Sequence, residues 1–315
     1  MCDCCEEVVE SPKTGARGTP DQIAPYLRYI YTQEELDLLL WMGTKHCNFI
    51  EIQAKLKKDP TELLKRAYRR AVIDEVYDEH GHLQGYKAVP AAKRVNNMAT
   101  FDREDWEGLP EDVRHALSRW HFRQFVEMKR PLGYPGVAAK RNTVMPLDHV
   151  IDYMRNTADR IWIIPCDCKS TWGSCPTERR QFCMEFHAEA NTAVGRGHGR
   201  EVTKDECEAL LREADRLGLY HTAEVHGICN CCACCCYPGR TTAELGYKGL
   251  WPKIAFCAVR DEAKCKACMT CVSRCPKSAL TEVDGRVQFH PENCWGCGLC
   301  AGTCDEPVIT MEKIN

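Results

Sequence analysis

Long hydrophobic runs are missing from this sequence. The longest apolar stretch, Leu38-Leu39-Leu40-Trp41-Met42, is far short of the ~20 residues a membrane span needs, and the mean hydropathy is −0.42, so no membrane insertion is expected. Charge of one sign is also scarce. Lys and Arg number 42 against 45 Asp and Glu, a formal −3 that argues against a generally basic nucleic-acid coat. The opening Met-Cys-Asp-Cys-Cys-Glu-Glu lacks the basic and then apolar order of a secretory signal, so a cytoplasmic setting with reduced thiols is expected. There is no Gly-rich dinucleotide loop and no Walker A sequence, which excludes direct use of NAD(P)H or ATP by those devices. Hydrolase patterns built on serine, aspartate or a lone cysteine find no support either. What the chain has in excess is cysteine: 24 in 315 residues. With a disulfide framework improbable, metal binding is the default reading.

The cysteines divide the chain. Only Cys2, Cys4, Cys5 and Cys47 fall in residues 1–160, and the other twenty follow. An N-terminal half held by an apolar core and a C-terminal half organised around inorganic centres is the expectation. Residues 1–20 carry Pro12, Gly15, Gly18 and Pro20 and read as a flexible arm with incidental thiols. Thr32-Gln33-Glu34-Glu35 is a capping-box pattern before an apolar helix. A second helix is expected over Ile50 to Lys57, and a third from Thr61 to Ile73 behind Asp59-Pro60. Val76-Tyr77 and Leu83 to Val89 then alternate like two short strands. Three helices followed by a hairpin resemble a winged-helix domain over residues 21–99. Residues 54–72 hold seven basic and two acidic side chains, and Lys65, Arg66, Arg69 and Arg70 on the third helix are candidates for nucleic acid or for docking a protein. Docking is favoured over DNA. Residues 100–147 read as a helical segment and a Pro/Gly-punctuated connector.

The strongest signal lies at the end. Cys265-x2-Cys268-x2-Cys271-x3-Cys275-Pro276 recurs 29 residues later as Cys294-x2-Cys297-x2-Cys300-x3-Cys304. Two zinc knuckles would not need this threefold spacing twice. The pattern resembles the two-cluster bacterial ferredoxins over about residues 255–315, within a domain expected at 251–315. That resemblance assigns Cys265, Cys268, Cys271 and Cys304 to one [4Fe–4S] cluster and Cys294, Cys297, Cys300 and Cys275 to the other, the fourth thiolate of each run crossing over. It also implies a pseudo-twofold domain, with short strands around Ala279–Val283 and Val287–Phe289. Cys304 is followed by Asp305-Glu306-Pro307 where the pattern has proline next, a departure that bears on the turn.

Between these parts, residues 148–250 hold Cys166, Cys168, Cys175, Cys183, Cys229, Cys231, Cys232, Cys234, Cys235 and Cys236, with Cys207 inside a plain helix from Thr203 to Leu217 as a structural thiol. Neighbouring residues of an extended chain point to opposite faces, so the thiols of the 229–236 run cannot all meet one ion. Ten thiols exceed the four a cubane needs. One further Fe–S centre with spare thiols, two centres, one larger cluster, or a zinc or copper store remain open. At least one additional Fe–S centre is expected, drawn mainly from Cys166, Cys168, Cys229 and Cys232. His187, His198, His221 and His226 read as surface or hydrogen-bonding histidines rather than ligands.

The order Ile164-Pro-Cys-x-Cys-Lys, a capped helix, Gly218-Leu219-Tyr220-His221 and Ile228-Cys-Asn-Cys-Cys-x-Cys-Cys-Cys resembles the uncharacterised "4Fe-4S ferredoxin" proteins of anaerobic prokaryotes. These join a winged-helix-like N-terminus, a cysteine-rich segment and a two-cluster ferredoxin. The doubled cysteines are also similar to those of the catalytic subunit of heterodisulfide reductases. The resulting expectation is an α+β, three-part protein with two [4Fe–4S] clusters and a further central centre. It would carry low-potential electrons as a subunit or partner of a larger anaerobic oxidoreductase. The alternatives are a reductase with its chemistry at the central cluster and a redox-sensing DNA-binding regulator.

Overall fold

The computed structural model describes residues 20–130, 142–172, 183–246, 248, 252–304 and 306–314. Cys2, Cys4, Cys5, Cys175, Asp305 and most of the expected connector lie outside the described residues. The chain is a mixture of helix and sheet in two compact units. One comprises residues 1–129, 170–173 and 188–199; the other comprises 130–169, 174–187 and 200–315.

In the first unit, helices α1 (Gln33–Met42), α2 (Phe49–Leu56) and α3 (Thr61–Arg69) follow one another. Reciprocal capping starts the first two. The Thr32 hydroxyl accepts from the Glu35 N–H at 3.2 Å while Glu35 accepts from the Thr32 N–H at 2.8 Å, and Asn48 and Glu51 repeat the arrangement. Each pair satisfies two donors that a helix start leaves open. Helix α3 ends at Arg69, short of Ile73, because Ala71 turns to φ 53° and the β-branched Ile73 already begins a strand. Strand β1 (Ile73–Tyr77) then pairs antiparallel with β2 (Leu83–Ala88), and Cys47 forms a single bridge to Tyr86. Helices α4 (Ala91–Phe101) and α5 (Glu111–Lys129) complete a core that buries Leu39, Ile52, Leu64, Met98 and Leu117.

The second unit is built on a seven-stranded sheet. In chain order its elements are β3 (Thr143–Met145), α6 (Leu147–Thr157), β4 (Ile161–Ile164), α7 (Asp167–Trp172, whose last three residues count with the first unit), β5 (Cys183–Glu185), β6 (Arg200–Val202), α8 (Lys204–Arg216), β7 (Tyr220–Glu224), β8 (Gly227–Cys231), α9 (Tyr237–Leu245) and β9 (Lys253–Ile254). The spatial order is β6-β4-β5-β8-β7-β3-β9, and only the β3–β9 pair is parallel.

Register sorts the side chains, since successive residues of a strand face opposite ways. Ile163 pairs with Met184, and Met184 with Ile228; this face packs on Val150, Met154, Cys207 and Leu211 of α6 and α8. The other parity sets Cys183 beside Ile164, Cys229 beside Thr222, and Cys231 beside Tyr220. On that face Val144, Tyr220 and Cys231 are covered by Trp295 and Leu299 of the last segment.

That segment contains β10 (Phe256–Arg260), α10 (Thr270–Arg274), β11 (Leu280–Val283), β12 (Arg286–Phe289) and β13 (Ile309–Lys313). Strand β10 pairs antiparallel with β13, and β11 with β12. Its small core is Ala258, Leu280, Val287, Val308 and Ile309, and cysteines pack around it.

Candidate metal centres

Eight of the nine cysteines of the last segment fall into two groups of four, and the ninth, Cys257 on β10, adjoins Cys294. Cys271 has Cys304, Cys265 and Cys268 as its electrostatic neighbours. Cys300 has Cys297, Cys294 and Cys275. The fourth cysteine of each run is thus brought to the other run's triplet. Within both triplets the backbone turns left-handed at the same two repeat positions: Ala267 and Met269 (φ 52° and 60°), then Gly296 and Gly298 (φ 65° and 79°). Turns of this kind aim backbone N–H groups inward and suit an anionic centre. The Ala279 N–H donates to Cys275 Sγ at 3.2 Å, and the Gly296 N–H to Cys294 Sγ at 3.4 Å. Cys275, Cys294, Cys297 and Cys300 line one partly open cavity whose other walls include Leu280, Trp295 and Met311. Burial pushes the Cys297 thiol up to about 12 and raises Cys300 as well, a cost that a bound cation or cluster removes. Four thiols around a space with apolar walls fit an iron–sulfur cluster.

The central cysteines separate into two sets. Six sulfurs form a chain of neighbours in the order Cys168, Cys166, Cys183, Cys229, Cys231 and Cys236, and Cys236 also acts electrostatically on Cys168. Strands β5 and β8 supply Cys183, Cys229 and Cys231 from one face of the sheet, while Cys166 and Cys168 come from the start of α7 and Cys236 from the start of α9. Hydrogen bonds from Cys168 and Cys183 hold the Cys166 thiol well below its ordinary value, and Cys229 and Cys236 do the same for Cys231. The donors are pushed up in turn. The Tyr237 N–H donates to Cys168 Sγ and the Gly239 N–H to Cys236 Sγ, both at 3.4 Å. Cys232, Cys234 and Cys235 make the second set, on the turn after β8, with ligand atoms all within 4.8 Å of one another. Of the four cysteines expected to act together, Cys166, Cys168 and Cys229 lie in the six-sulfur chain, whereas Cys232 has Cys235 and Cys234 as its sulfur neighbours.

Residues 258–281, which include Cys265, Cys268, Cys271 and Cys275, match the 4Fe-4S binding domain family. Subunit VorC of ketoisovalerate oxidoreductase from Methanothermobacter marburgensis is 36% identical over 55 residues, 15% of this chain and 70% of that protein. The chain belongs to the 4Fe-4S ferredoxin family. Pyruvate synthase subunit PorD of Thermotoga maritima is 41% identical over 54 residues, 17% of this chain and 54% of the relative. Indolepyruvate oxidoreductase subunit IorA of Methanothermobacter marburgensis is 38% identical over 52 residues, 16% of this chain but only 8% of that subunit. The chain therefore spans about half, or far less, of two of these relatives. No solved structure gives a significant match.

Two lysines missed by sequence reasoning sit beside the thiols of this ferredoxin. Lys169 is 2% exposed, its ammonium donates to the Asn230 carbonyl at 3.4 Å, and its charge acts on Cys166, Cys232, Cys183 and Cys231. Lys277 lies 3.6 Å from the Trp295 ring centroid and 5.7 Å from that of Tyr220. Its electrostatic neighbours are Cys236 and Cys231 of the six-sulfur set, Cys297 of the ferredoxin loop and Cys232 of the second set. A lysine next to a cysteine motif carries no distinctive spacing, so only the fold identifies these two. The Cys-Lys and Pro-Lys neighbours in sequence were the sole signals.

The remaining candidates are placed elsewhere. Cys207 is fully buried among the apolar residues of α8, and burial raises its thiol to about 12. His221 faces away from the thiols and shares a 2.7 Å hydrogen bond with Asn230; burial lowers it to about 4. His198 contacts the Arg69 carbonyl at 2.9 Å and stacks on Phe101 at 3.9 Å, while His187 and His226 lie 4.5 Å apart. On α3, Arg66 pairs with Glu34 at 2.7 Å and Lys65 with Glu62 at 3.1 Å. Arg70 reaches Glu35 at 2.9 Å and Asp105 at 3.2 Å, and Arg69 donates to the Gly197 carbonyl at 3.1 Å. No helix of the described residues is long and apolar enough to cross a membrane.

Proposed function

We propose that this ferredoxin is an electron-transfer subunit or partner of a larger oxidoreductase, working in the cytoplasm of an anaerobic or oxygen-poor metabolism. The observation that carries the reading is the presence, in one unit, of two four-thiol groups and a six-thiol group, with Trp295 and Lys277 adjoining both the six-thiol group and Cys297. In this reading Cys265, Cys268, Cys271 and Cys304 hold one [4Fe–4S] cluster, and Cys275, Cys294, Cys297 and Cys300 the other. The six central sulfurs supply the ligands of a third centre. Bound clusters contribute one-electron chemistry at low potential, with the charge spread over several iron and sulfur atoms.

The chain's own residues do the rest. Backbone N–H groups at Ala279, Gly296, Tyr237 and Gly239 donate to ligand sulfurs and stabilise their negative charge. Trp295 and Leu299 keep water from the space between the inner loop and the sheet. Lys277 gives both thiol groups a shared positive neighbour. Cys268 is exposed and marks the face a redox partner would approach. The relatives named as subunits of pyruvate synthase and ketoisovalerate oxidoreductase support a partner of that kind.

The N-terminal helices and hairpin are read as a winged-helix-like docking domain. Arg66, Arg69 and Arg70 already have intramolecular partners, which favours docking over phosphate contact. A second reading, a reductase with its chemistry at the central centre, is favoured by a thiol count there that exceeds four.

Iron and acid-labile sulfide in full-length protein purified without oxygen test the proposal. More than about eight of each per chain are expected, with about four iron atoms lost in Cys268→Ser. Fewer than about eight iron atoms in the parent protein, or loss of every cluster signal together in a folded Cys268→Ser, would overturn it.

A further inference from the structure

We propose that Cys232, Cys234 and Cys235 form a separate site for one soft metal ion of the d10 type, Zn²⁺ or Cu⁺. The site deepens the metal-binding reading of the central segment but stands apart from its iron.

Geometry makes the first case. Cys234 Sγ lies 3.4 Å from Cys232 Sγ and 3.5 Å from Cys235 Sγ. Sulfurs around a tetrahedral ion with Zn–S bonds of ~2.3 Å stand ~3.8 Å apart, so a small relaxation of this trio encloses one ion. Ferredoxin cubane ligands come at intervals of three residues or more, because each thiolate reaches a different corner. Here the intervals are two and one. The turn is closed by the Cys236 N–H on the Cys232 carbonyl at 3.3 Å, which brings the three side chains round together.

Charge and burial agree. Three thiolates around a dication leave one net negative charge, and buried Lys169 is an electrostatic neighbour of Cys232. Cys235 is fully buried, Cys232 is half-buried and Cys234 is exposed, so the trio runs from the interior to the surface. Among the described residues no further Cys, His, Asp or Glu ligand atom joins the trio within 4.8 Å. Thiolates select Zn²⁺ and Cu⁺ over harder ions.

The experiment measures zinc, copper, iron and sulfide in the full-length protein prepared without oxygen, before and after exposure to Zn²⁺ or Cu⁺. About one zinc or copper per chain is expected in addition to iron, and the native content decides which ion. Cys234→Ser alters an exposed side chain and should preserve the thermal melt. It should weaken Zn²⁺ retention against a chelator at least tenfold while iron and sulfide stay unchanged. The Cys232→Ser/Cys234→Ser/Cys235→Ser variant should bind neither ion there. Failure of the parent protein to take up either ion overturns the site. So does a folded Cys234→Ser that loses iron and sulfide, since the trio would then be cluster ligands. Low iron in the parent protein would instead count against the electron-transfer reading and leave the Zn²⁺ titration of Cys234→Ser to decide this one.

Discussion

Loops Cys265–Cys271 and Cys294–Cys300 turn through the left-handed region at matching positions, yet one uses Ala267 and Met269 there and the other Gly296 and Gly298. Their surroundings explain the difference. A Cβ on Gly296 would stand 2.1 Å from the Phe256 carbonyl oxygen, and one on Gly298 would stand 2.8 Å from Pro146. The first loop carries the exposed Cys268; none of the four cysteines in the second group is exposed. Repetition therefore sets how thiols are gathered, while the surroundings decide which loop carries an exposed thiol and which meets the rest of its unit. A symmetric motif has been given an outside and an inside.

Removing iron should have the largest effect on this comparison. The ferredoxin segment buries few apolar side chains and packs half-buried cysteines around them, so metal binding is expected to supply much of its folding free energy. After chelation, residues 256–313 should lose hydrogen-exchange protection, whereas α1 to α5 keep theirs on the large core around Leu39 and Met98. Equal protection of both would show that the segment does not need its metal. Next in size, Gly296→Ala should cost the inner group its iron, about four atoms per chain. The control is Gly285→Ala, at φ +72° with nothing within 4 Å, which should cost only the left-handed strain of about 1–2 kcal/mol and no iron.

Lys277→Met should then lower the potential of one ferredoxin signal by about 60 mV, tenfold for one electron, because a reduced centre loses a cationic neighbour. Redox titration followed by EPR should find the other signal unmoved; equal shifts would mean that Lys277 acts on the whole domain. The smallest effect is expected from Ala267→Gly. Relief of left-handed strain and the greater freedom of glycine when unfolded oppose each other, leaving a change under about 1 kcal/mol in thermal stability. Loss of iron there would show that the outer loop is as tightly held as the inner one.

Local signals were readable wherever neighbours in sequence do the work. The Thr32–Glu35 and Thr203–Glu206 capping boxes both form, and they start α1 and α8 where the pattern puts them. The second box of the N-terminal half, Asn48 with Glu51, went unread because asparagine stands in place of serine or threonine. The seven-stranded sheet was scarcely legible. Strands β5 and β6 have three residues each, too few for a period-two pattern, and their pairing is non-local. Its traces were the apolar stretch Arg160 to Pro165, which reads as a strand and holds β4, and Cys229-Asn230-Cys231, whose alternation puts two thiols on one face and Asn230 on the other. The charge of α3 was legible, but its partners Glu34, Glu35 and Asp105 lie far along the chain, so a basic helix could not be told from a neutralised one.

The hairpin of β7 and β8 turns at Val225 and His226, with Glu224 paired to Gly227. Whether a residue of β8 meets the helices or the thiol side is therefore a matter of odd and even numbering counted from that turn. A single inserted residue would swap the two populations, driving Cys229 and Cys231 into the packed layer against α6 and α8 and turning Ile228 and Asn230 outward among the thiols. Such a strand is frozen against insertions and deletions, though not against substitution. New cysteines are more readily gained after Cys231, where the chain leaves the sheet and counting no longer matters.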